Sequence, residues 1–177
     1  MNCFERAANV RLMGFDIDGV MTDGRLYFGP SGDYMKAFFS RDGFGLKLLA
    51  KSGVKLAIIT GRDSPIVTTR AANLGIELVL QGVEDKHAAM AKLLAETGLS
   101  WEAAGYMGDD VIDLPLLKAC GFSATVPDCH DLVRRQACYV AQAPAGRGAV
   151  REVCELILRA QGNWERVMAP YLGTPTP

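Results

Sequence analysis

Residues 14–23 read GFDIDGVMTD, in which two carboxylates, Asp16 and Asp18, stand one residue apart at the end of an apolar run. The run, residues 10–15, has the pattern of a short buried β-strand, so Asp16 falls where that strand ends. Gly19 then allows the backbone to turn. Ligand sites of open α/β sheets lie at the carboxyl ends of strands, which makes the two acids candidates for chemistry. The alternative interpretation is an Asp-Gly turn that happens to follow a second Asp.

Helical and strand patterns alternate along the rest of the chain. The pattern predicts helices from 42 to the stop at Gly53 and at 65–74, 86–97, 110–119, 130–135 and 149–159, and strands at 54–59, 76–80, 104–107, 122–126 and 138–140. Such alternation is typical of a parallel sheet covered by helices on both faces. The predicted fold class is α/β, a three-layer, Rossmann-like, doubly wound parallel sheet.

A β-hairpin interrupts the alternation. Two β-rich pieces, 25–28 and 34–39, flank the turn sequence GPSG and predict a hairpin over 25–39. A chain of 177 residues can bury a full core, and we expect one domain over 1–162. Residues 163–177, which contain three Pro and one Gly, predict a flexible C-terminal tail.

Composition and charge exclude several classes of partner. The chain has 19 Lys and Arg against 20 Asp and Glu, a net charge of -1, and its basic residues are scattered, so we expect no nucleic acid partner. No apolar run approaches the length that spans a bilayer, so we expect no membrane association. Five cysteines, an odd number without CxxC spacing, are typical of reduced thiols. These features predict a cytoplasmic protein.

Polar side chains stand where four stretches of this predicted sheet end. They are Asp16 with Asp18, Thr60 in the sequence TGR, Lys86 after a short loop, and GDD at 108–110 followed by Asp113. Strand ends meet on one edge of a parallel sheet. Clustered carboxylates repel one another without a cation, and an oxygen-rich set suits Mg²⁺ together with waters and phosphate oxygens. The pattern therefore predicts a magnesium phosphate site.

The same motifs, DIDGV at 16–20, Thr60, Lys86 and GDDVID at 108–113, resemble those of the haloacid dehalogenase superfamily of phosphotransferases. The resemblance implies that Asp16 attacks phosphorus and becomes a transient aspartyl phosphate. Asp18 would protonate the leaving alkoxide and then activate water. Thr60 would donate a hydrogen bond to the phosphoryl group, and Lys86 would neutralise charge on Asp16 and on that group.

The resemblance also implies a set of metal ligands. Mg²⁺ would be held by Asp16, by the backbone carbonyl of Asp18 and by Asp109. Asp110 and Asp113 are expected outside this set, where Asp113 would orient Lys86 or a metal-bound water.

Further segments resemble one family of the superfamily, the phosphatases of 3-deoxy-D-manno-octulosonate (Kdo) 8-phosphate, which act in lipopolysaccharide biosynthesis and lack a cap domain. The segments are DIDGVMTDG at 16–24, FSRDGFG at 39–45, IITGR at 58–62, LQG at 80–82 and AGRGAVRE at 145–152. Neither gap where a cap could be inserted, 18–42 or 60–86, is long enough to hold one, so the hairpin would serve as a flap. The resemblance implies a homotetramer in which hairpins and C-terminal tails close neighbouring sites.

An acidic sugar needs cations away from the phosphate. The candidates are Arg62, Arg70, Lys36, Arg41 and Arg147, since Arg in particular can bind a carboxylate through two hydrogen bonds. Related phosphatases for nine-carbon, sialic-acid-type sugars tend to carry Glu after Thr-Gly, where this chain has Arg62, so we favour the eight-carbon sugar acid phosphate. A nine-carbon sugar phosphate, another small phosphate ester and a non-catalytic regulatory module of the same fold are the alternatives.

Overall fold

The computed structural model describes residues 1–30 and 32–173. The strands are β1 (Leu12–Phe15), β2 (Tyr27–Gly29), β3 (Gly32–Met35), β4 (Lys55–Ile59), β5 (Leu78–Leu80), β6 (Ala104–Met107), β7 (Phe122–Thr125) and β8 (Tyr139–Val140). The α-helices are α1 (Cys3–Ala8), α2 (Ser40–Lys51), α3 (Pro65–Leu74), α4 (Lys86–Thr97), α5 (Leu114–Ala119), α6 (Asp131–Gln136), α7 (Ala149–Ala160) and α8 (Trp164–Leu172).

Six strands form one sheet in the order β5-β4-β1-β6-β7-β8, and every neighbouring pair is parallel. In the centre of the sheet, Phe15 of β1 pairs with Ile58 of β4 on one side and with Met107 of β6 on the other. The three central strands therefore end together, at the edge where the polar motifs follow them. The predicted α/β class with a parallel sheet is confirmed.

Alternate residues of β1 pack on opposite faces of the sheet. Met13 and Phe15 belong to the core beneath α1, α2, α3, α7 and α8, whereas Leu12 belongs to the core beneath α4, α5 and α6. By the two-residue period of a strand, Asp16 shares the face of Leu12. The carboxylate of Asp16 is thus directed toward α4, whose first residue is Lys86.

The bounds of α3 and α4 agree with the prediction, and most strands are one or two residues shorter than predicted. Helix α1 was not predicted, because six residues with one buried side chain, Ala7, carry no apolar period. Its sequence signal is a capping box, in which Asn2 and Glu5 each accept a hydrogen bond from the other's backbone N–H.

The C-terminal segment differs from the expected flexible tail 163–177. Residues Trp164–Leu172 form α8, on which Val167 and Ala169 are buried, and Val167 belongs to the core that includes side chains of α7. Arg159 of α7 lies over the ring of Trp164, 3.9 Å from its centroid. The buried apolar side chains hold this segment in place despite its Pro and Gly content. Residues 174–177, the end of the predicted tail, lie outside the described residues.

Strands β2 and β3 form the predicted hairpin, although they are shorter than the pieces 25–28 and 34–39 and Ser31 of the turn lies outside the described residues. Its apolar side chains are exposed, among them Phe28 and Tyr34. Between β1 and α2 the described residues hold only a tight turn and this hairpin. None of the described helices is both long and apolar enough to cross a membrane.

Candidate active site

The backbone turns sharply directly after β1. Oδ1 of Asp16 accepts a hydrogen bond from the N–H of Ile17 at 2.7 Å, and Gly19 adopts a positive φ of 93°. A Cβ at position 19 would lie 2.1 Å from Oδ2 of Asp109, so only glycine lets the loop after β6 come this close. The turn therefore brings the carboxylates of Asp16 and Asp109 to one place.

A buried ammonium lies beside Asp16. Nζ of Lys86 is 2.9 Å from Oδ2 of Asp16 and 2.7 Å from Oδ1 of Asp113. Burial alone lowers the pKa of Lys86, but the two carboxylates outweigh burial and hold that pKa above its ordinary value. Lys86 is thus a fixed positive charge at the end of the central strand.

Asp113 holds the surrounding groups in place. Its Oδ1 accepts hydrogen bonds from Lys86 and from the Tyr106 hydroxyl, 3.1 Å away, and its Oδ2 accepts from the backbone N–H groups of Asp109 and Asp110. The Tyr106 hydroxyl is also 3.1 Å from the carbonyl oxygen of Ile59. Burial beside the carboxylates raises the pKa of Tyr106 well above its ordinary value, so the hydroxyl keeps its proton.

The donor atoms fit a divalent cation. Asp16, Asp109 and Asp113 each offer a carboxylate oxygen within 4.8 Å of the others, and Oδ1 of Asp109 is buried and accepts no hydrogen bond from the described residues. Burial, together with the nearby acids, raises the pKa of Asp109 to about 8, and burial raises the pKa of Asp16 to about 6. A divalent cation would stabilise the charged forms of both carboxylates and so lower both pKa values. Each oxygen of Asp113 already accepts two hydrogen bonds, whereas each oxygen of Asp16 has one close donor, so Asp16 and Asp109 are the freer ligands.

Thr60 follows β4, the strand beside β1. It is buried, and its N–H donates to the carbonyl oxygen of Leu80 at 3.0 Å. Its own carbonyl accepts from the N–H of Val83 in the loop that leads to α4. These two bonds connect Thr60 to the segment that carries Lys86, so the predicted position of Thr60 at a strand end is found in the fold.

Charged side chains from the hairpin and from the loop after β4 meet at Asp18. Nζ of Lys36 lies 2.5 Å from Oδ1 of Asp18, and Nε of Arg62 lies 3.6 Å from Oδ2. Asp33 accepts a hydrogen bond of 2.8 Å from Nη2 of Arg62, whose guanidinium lies 5.2 Å from the centroid of the Phe28 ring. Lys36 and Arg62, two of the predicted substrate-binding cations, thus lie at the candidate site.

The other three predicted cations have different surroundings. Arg41 lies over the ring of Phe39 and Arg70 over the ring of Phe38, while Arg147 is exposed in the loop before α7. Within residues 1–30 and 32–173, none of the three forms an ion pair with an acid of the site. Asp110 caps the short helical turn 111–113 through the N–H of Val111.

Two residues of the site were not predicted from the sequence. Tyr106 lies within the predicted strand 104–107. Its sequence signal is Gly14 on the neighbouring strand, which pairs with it and leaves room for the ring, since a Cβ at Gly14 would lie 2.9 Å from that ring. Asp33 had no sequence signal beyond an acid within an apolar hairpin. Its contact with Arg62 depends on how the hairpin folds back.

The site can support nucleophilic attack on phosphorus. Asp16 is the carboxylate next to the fixed cation Lys86. Asp18 lies two residues later in the turn after β1, where its carboxylate could exchange a proton with a bound substrate. A carboxylate at the end of the central strand of a parallel sheet, facing a lysine and a second acidic loop, is the arrangement of the phosphotransferases of the haloacid dehalogenase superfamily.

Comparison with known proteins gives the particular family. No family model matches the chain. The curated Kdo 8-phosphate phosphatase KdsC of Yersinia pestis is 47% identical over 161 residues, which cover 91% of this chain and 86% of that protein. KdsC of Escherichia coli K12 is 45% identical over 158 residues, which cover 89% of this chain and 84% of that protein. The chain belongs to this family of Kdo 8-phosphate phosphatases.

Solved structures agree with this assignment. The Moraxella catarrhalis phosphatase, crystallised with a magnesium ion, a phosphate ion and Kdo, matches with a TM-score of 0.93 at 40% identity, covering 96% of this chain and 97% of that one. The cobalt-bound Haemophilus influenzae phosphatase matches with a TM-score of 0.88 at 39% identity, covering 90% and 94%.

Proposed function

We propose that the protein hydrolyses Kdo 8-phosphate to Kdo and inorganic phosphate, a step of lipopolysaccharide biosynthesis. The observation that carries the proposal is the buried pair of Asp16 and Lys86, 2.9 Å apart at the end of β1. Support for the substrate comes from the family, since curated Kdo 8-phosphate phosphatases named KdsC are 45–47% identical to this chain.

The chain's own side chains account for both halves of the reaction. In the first half a carboxylate oxygen of Asp16 forms a bond to phosphorus, the bond from phosphorus to the sugar oxygen breaks, and Asp18 gives that oxygen a proton. In the second half Asp18 takes a proton from water, the water oxygen bonds to phosphorus, and the bond to Asp16 breaks. Lys86 stabilises negative charge in both halves, and the Thr60 hydroxyl donates to a phosphoryl oxygen.

Asp16, Asp109 and the backbone carbonyl of Asp18 would hold the Mg²⁺ ion. When bound, Mg²⁺ neutralises phosphate charge and helps to orient the phosphoryl group for in-line attack. Asp113 and Asp110 support this arrangement from outside, Asp113 through Lys86 and the N–H of Asp109. The buried Oδ1 of Asp109, which has no hydrogen-bond partner within residues 1–30 and 32–173, supports the assignment.

The sugar acid would be met by cations on the open side of the site. The side chain of Arg62 is 39% exposed and lies beside Asp18, so it is the preferred partner for the substrate carboxylate. Arg41, Arg70 and Arg147 are further candidates at the surface. Lys36 differs from these, because its side chain is only 2% exposed.

We further propose that the protein is a cytoplasmic homotetramer. The exposed hairpin side chains, Phe28 and Tyr34 among them, would be covered by the hairpins of other copies, and residues after α8 would close a neighbouring site. Free cysteines support the cytoplasmic location. Light scattering should give the mass of four chains, and a monomer at working concentration would contradict the assembly.

Phosphate release from matched sugar-acid phosphates tests the function. With Mg²⁺, we expect kcat/KM for Kdo 8-phosphate to exceed that for a nine-carbon, sialic-acid-type sugar phosphate by about 10-fold or more. EDTA should abolish turnover. Preference for the nine-carbon substrate would replace the substrate assignment, and no turnover of any phosphate ester would favour the non-catalytic module.

A further inference from the structure

Lys36 holds one oxygen of the Asp18 carboxylate. Its Nζ donates to Oδ1 at 2.5 Å from a side chain that is 2% exposed. The other oxygen, Oδ2, is buried and accepts no hydrogen bond from the part of the chain that the structure describes. Nε of Arg62 is 3.6 Å from Oδ2 without a hydrogen bond between them. One oxygen is therefore anchored by Lys36, and the second is left for proton transfer.

A second acid on the same hairpin supports this ammonium. Oδ2 of Asp33 lies 3.5 Å from Nζ of Lys36, and Oδ1 accepts the 2.8 Å hydrogen bond from Arg62. The side chain of Asp33 is 6% exposed, so the group lies within the site. A carboxylate at this position repels an anionic substrate, so Asp33 is not expected to bind it. Its contribution is to hold Lys36 and Arg62 in place.

We propose that Lys36, supported by Asp33, is a positioning residue that fixes the carboxylate of Asp18 with Oδ2 toward the leaving oxygen. The proposal rests on the role of Asp18 in the proposed function. A proton donor works only within hydrogen-bond reach of its target. While Lys36 holds Asp18 it presents almost no surface to a ligand, which separates its role from the substrate contact predicted from the sequence.

The proposal is tested with phosphate esters that carry no carboxylate: p-nitrophenyl, phenyl and benzyl phosphate. Their leaving oxygens become more basic in that order, so their dependence on a proton donor rises. The kcat/KM of each ester covers only steps up to departure of the leaving group, before Asp18 acts as a base. In Lys36→Gln we expect the loss to grow along the series, reaching about 10-fold or more for benzyl relative to p-nitrophenyl phosphate.

The sugar-acid phosphate supplies a second readout. Lys36→Gln should lower its kcat about 10-fold or more, while KM and the Kd of Kdo, measured by calorimetry, stay within about twofold. Asp33→Asn should show the same pattern with a smaller loss, and Lys36→Arg should restore part of the activity. Arg25→Gln removes a cation from the exposed start of the hairpin, where Arg25 pairs with Asp23, and should change neither readout.

Three results would overturn the positioning role. They are an equal loss for all three esters, a loss confined to the sugar-acid phosphate, and a Kd for Kdo that weakens about 10-fold. The last two would assign Lys36 to the substrate carboxylate. The wild type could cleave the three esters but not Kdo 8-phosphate, while Lys36→Gln shows the expected growing loss along the series. That result would remove only the proposed substrate and keep the positioning role.

Discussion

A Cβ added to Gly19 would lie 2.1 Å from Oδ2 of Asp109. Gly19 also has a φ of 93°, so Gly19→Ala meets both backbone strain and a clash with a candidate metal ligand. We expect kcat/KM to fall about 10²-fold or more, with weaker Mg²⁺ binding in calorimetry. Gly53→Ala is the control, because Gly53 has a φ of 102° but a Cβ added there would meet no other atom of the described residues within 4 Å. Equal effects of the two substitutions on activity would show that strain alone is responsible.

Asp16→Asn removes the proposed nucleophile and keeps its shape. We expect no detectable turnover, while the fold is kept. In EDTA at pH 8 we expect a higher Tm than that of the wild type, because burial of the charged Asp16 is unfavourable and its pKa is raised to about 6. Calorimetric Tm and phosphate release measure the two effects. Asp131→Asn, on the exposed first turn of α6, is the control. Turnover by Asp16→Asn would exclude the aspartyl phosphate.

Substitutions at Asp113 and Tyr106 separate the two groups that hold Lys86 in place. Asp113→Asn removes a charge 2.7 Å from Nζ of Lys86, so kcat should fall about 10²-fold. Tyr106→Phe removes the hydroxyl that donates to the Asp113 carboxylate and contacts the Ile59 carbonyl, and we expect a loss of about 2 kcal/mol in unfolding free energy with a smaller loss in kcat. Urea unfolding and steady-state kinetics check this order. A larger kcat loss in Tyr106→Phe would assign the tyrosine a direct role.

Metal binding and stability should depend on pH in opposite directions. Burial and neighbouring acids raise the pKa of Asp109 to about 8, above its ordinary 3.8, so the folded metal-free protein retains a proton that the unfolded chain loses. This contribution is full below pH 3.8 and is lost as the pH rises through about 8, so stability in EDTA should fall over that range. Because Mg²⁺ must displace the proton, its stabilising effect should grow over the same range.

Thermal unfolding from pH 5.5 to 8.5, with EDTA or Mg²⁺, measures this dependence. Asp109→Asn should flatten the curve in EDTA and remove most of the Mg²⁺ effect. A gain in Tm from Mg²⁺ that is the same at every pH would contradict a raised pKa at Asp109.

The strand ends were predictable because topology alone brings them together. Once β1, β4 and β6 are parallel neighbours, the residues after them, Asp16, Thr60 and Asp109, must share one edge of the sheet. The hairpin contacts were not predictable in this way. Lys36 reaches Asp18 only because the hairpin folds back, and a three- to four-residue strand pair does not fix that angle.

Helix α8 was missed for a different reason. Pro170 lies inside the helix, where it removes a backbone donor, and Gly173 follows the last turn, so the local sequence favours a loop. Burial of Val167 in the core, and of Ala169 on the same helix, overrides that preference. Tertiary contacts of this kind do not appear in the local pattern.

Two truncations separate the structural part of the C-terminus from the part proposed to close a neighbouring site. A chain ending at Gly162 loses α8, including Val167, which is 1% exposed, and Tyr171, whose ring packs edge to face against Phe44. Burial of Val167 alone stabilises by about 2 kcal/mol, so this chain should unfold at a lower urea concentration. A chain ending at Gly173 keeps the helix and should unfold like the full chain, while its kcat changes if residues 174–177 control product release. Unchanged kinetics in the chain ending at Gly173 would remove those residues from the lid, and unchanged stability in the shorter chain would show that α8 adds little to the core.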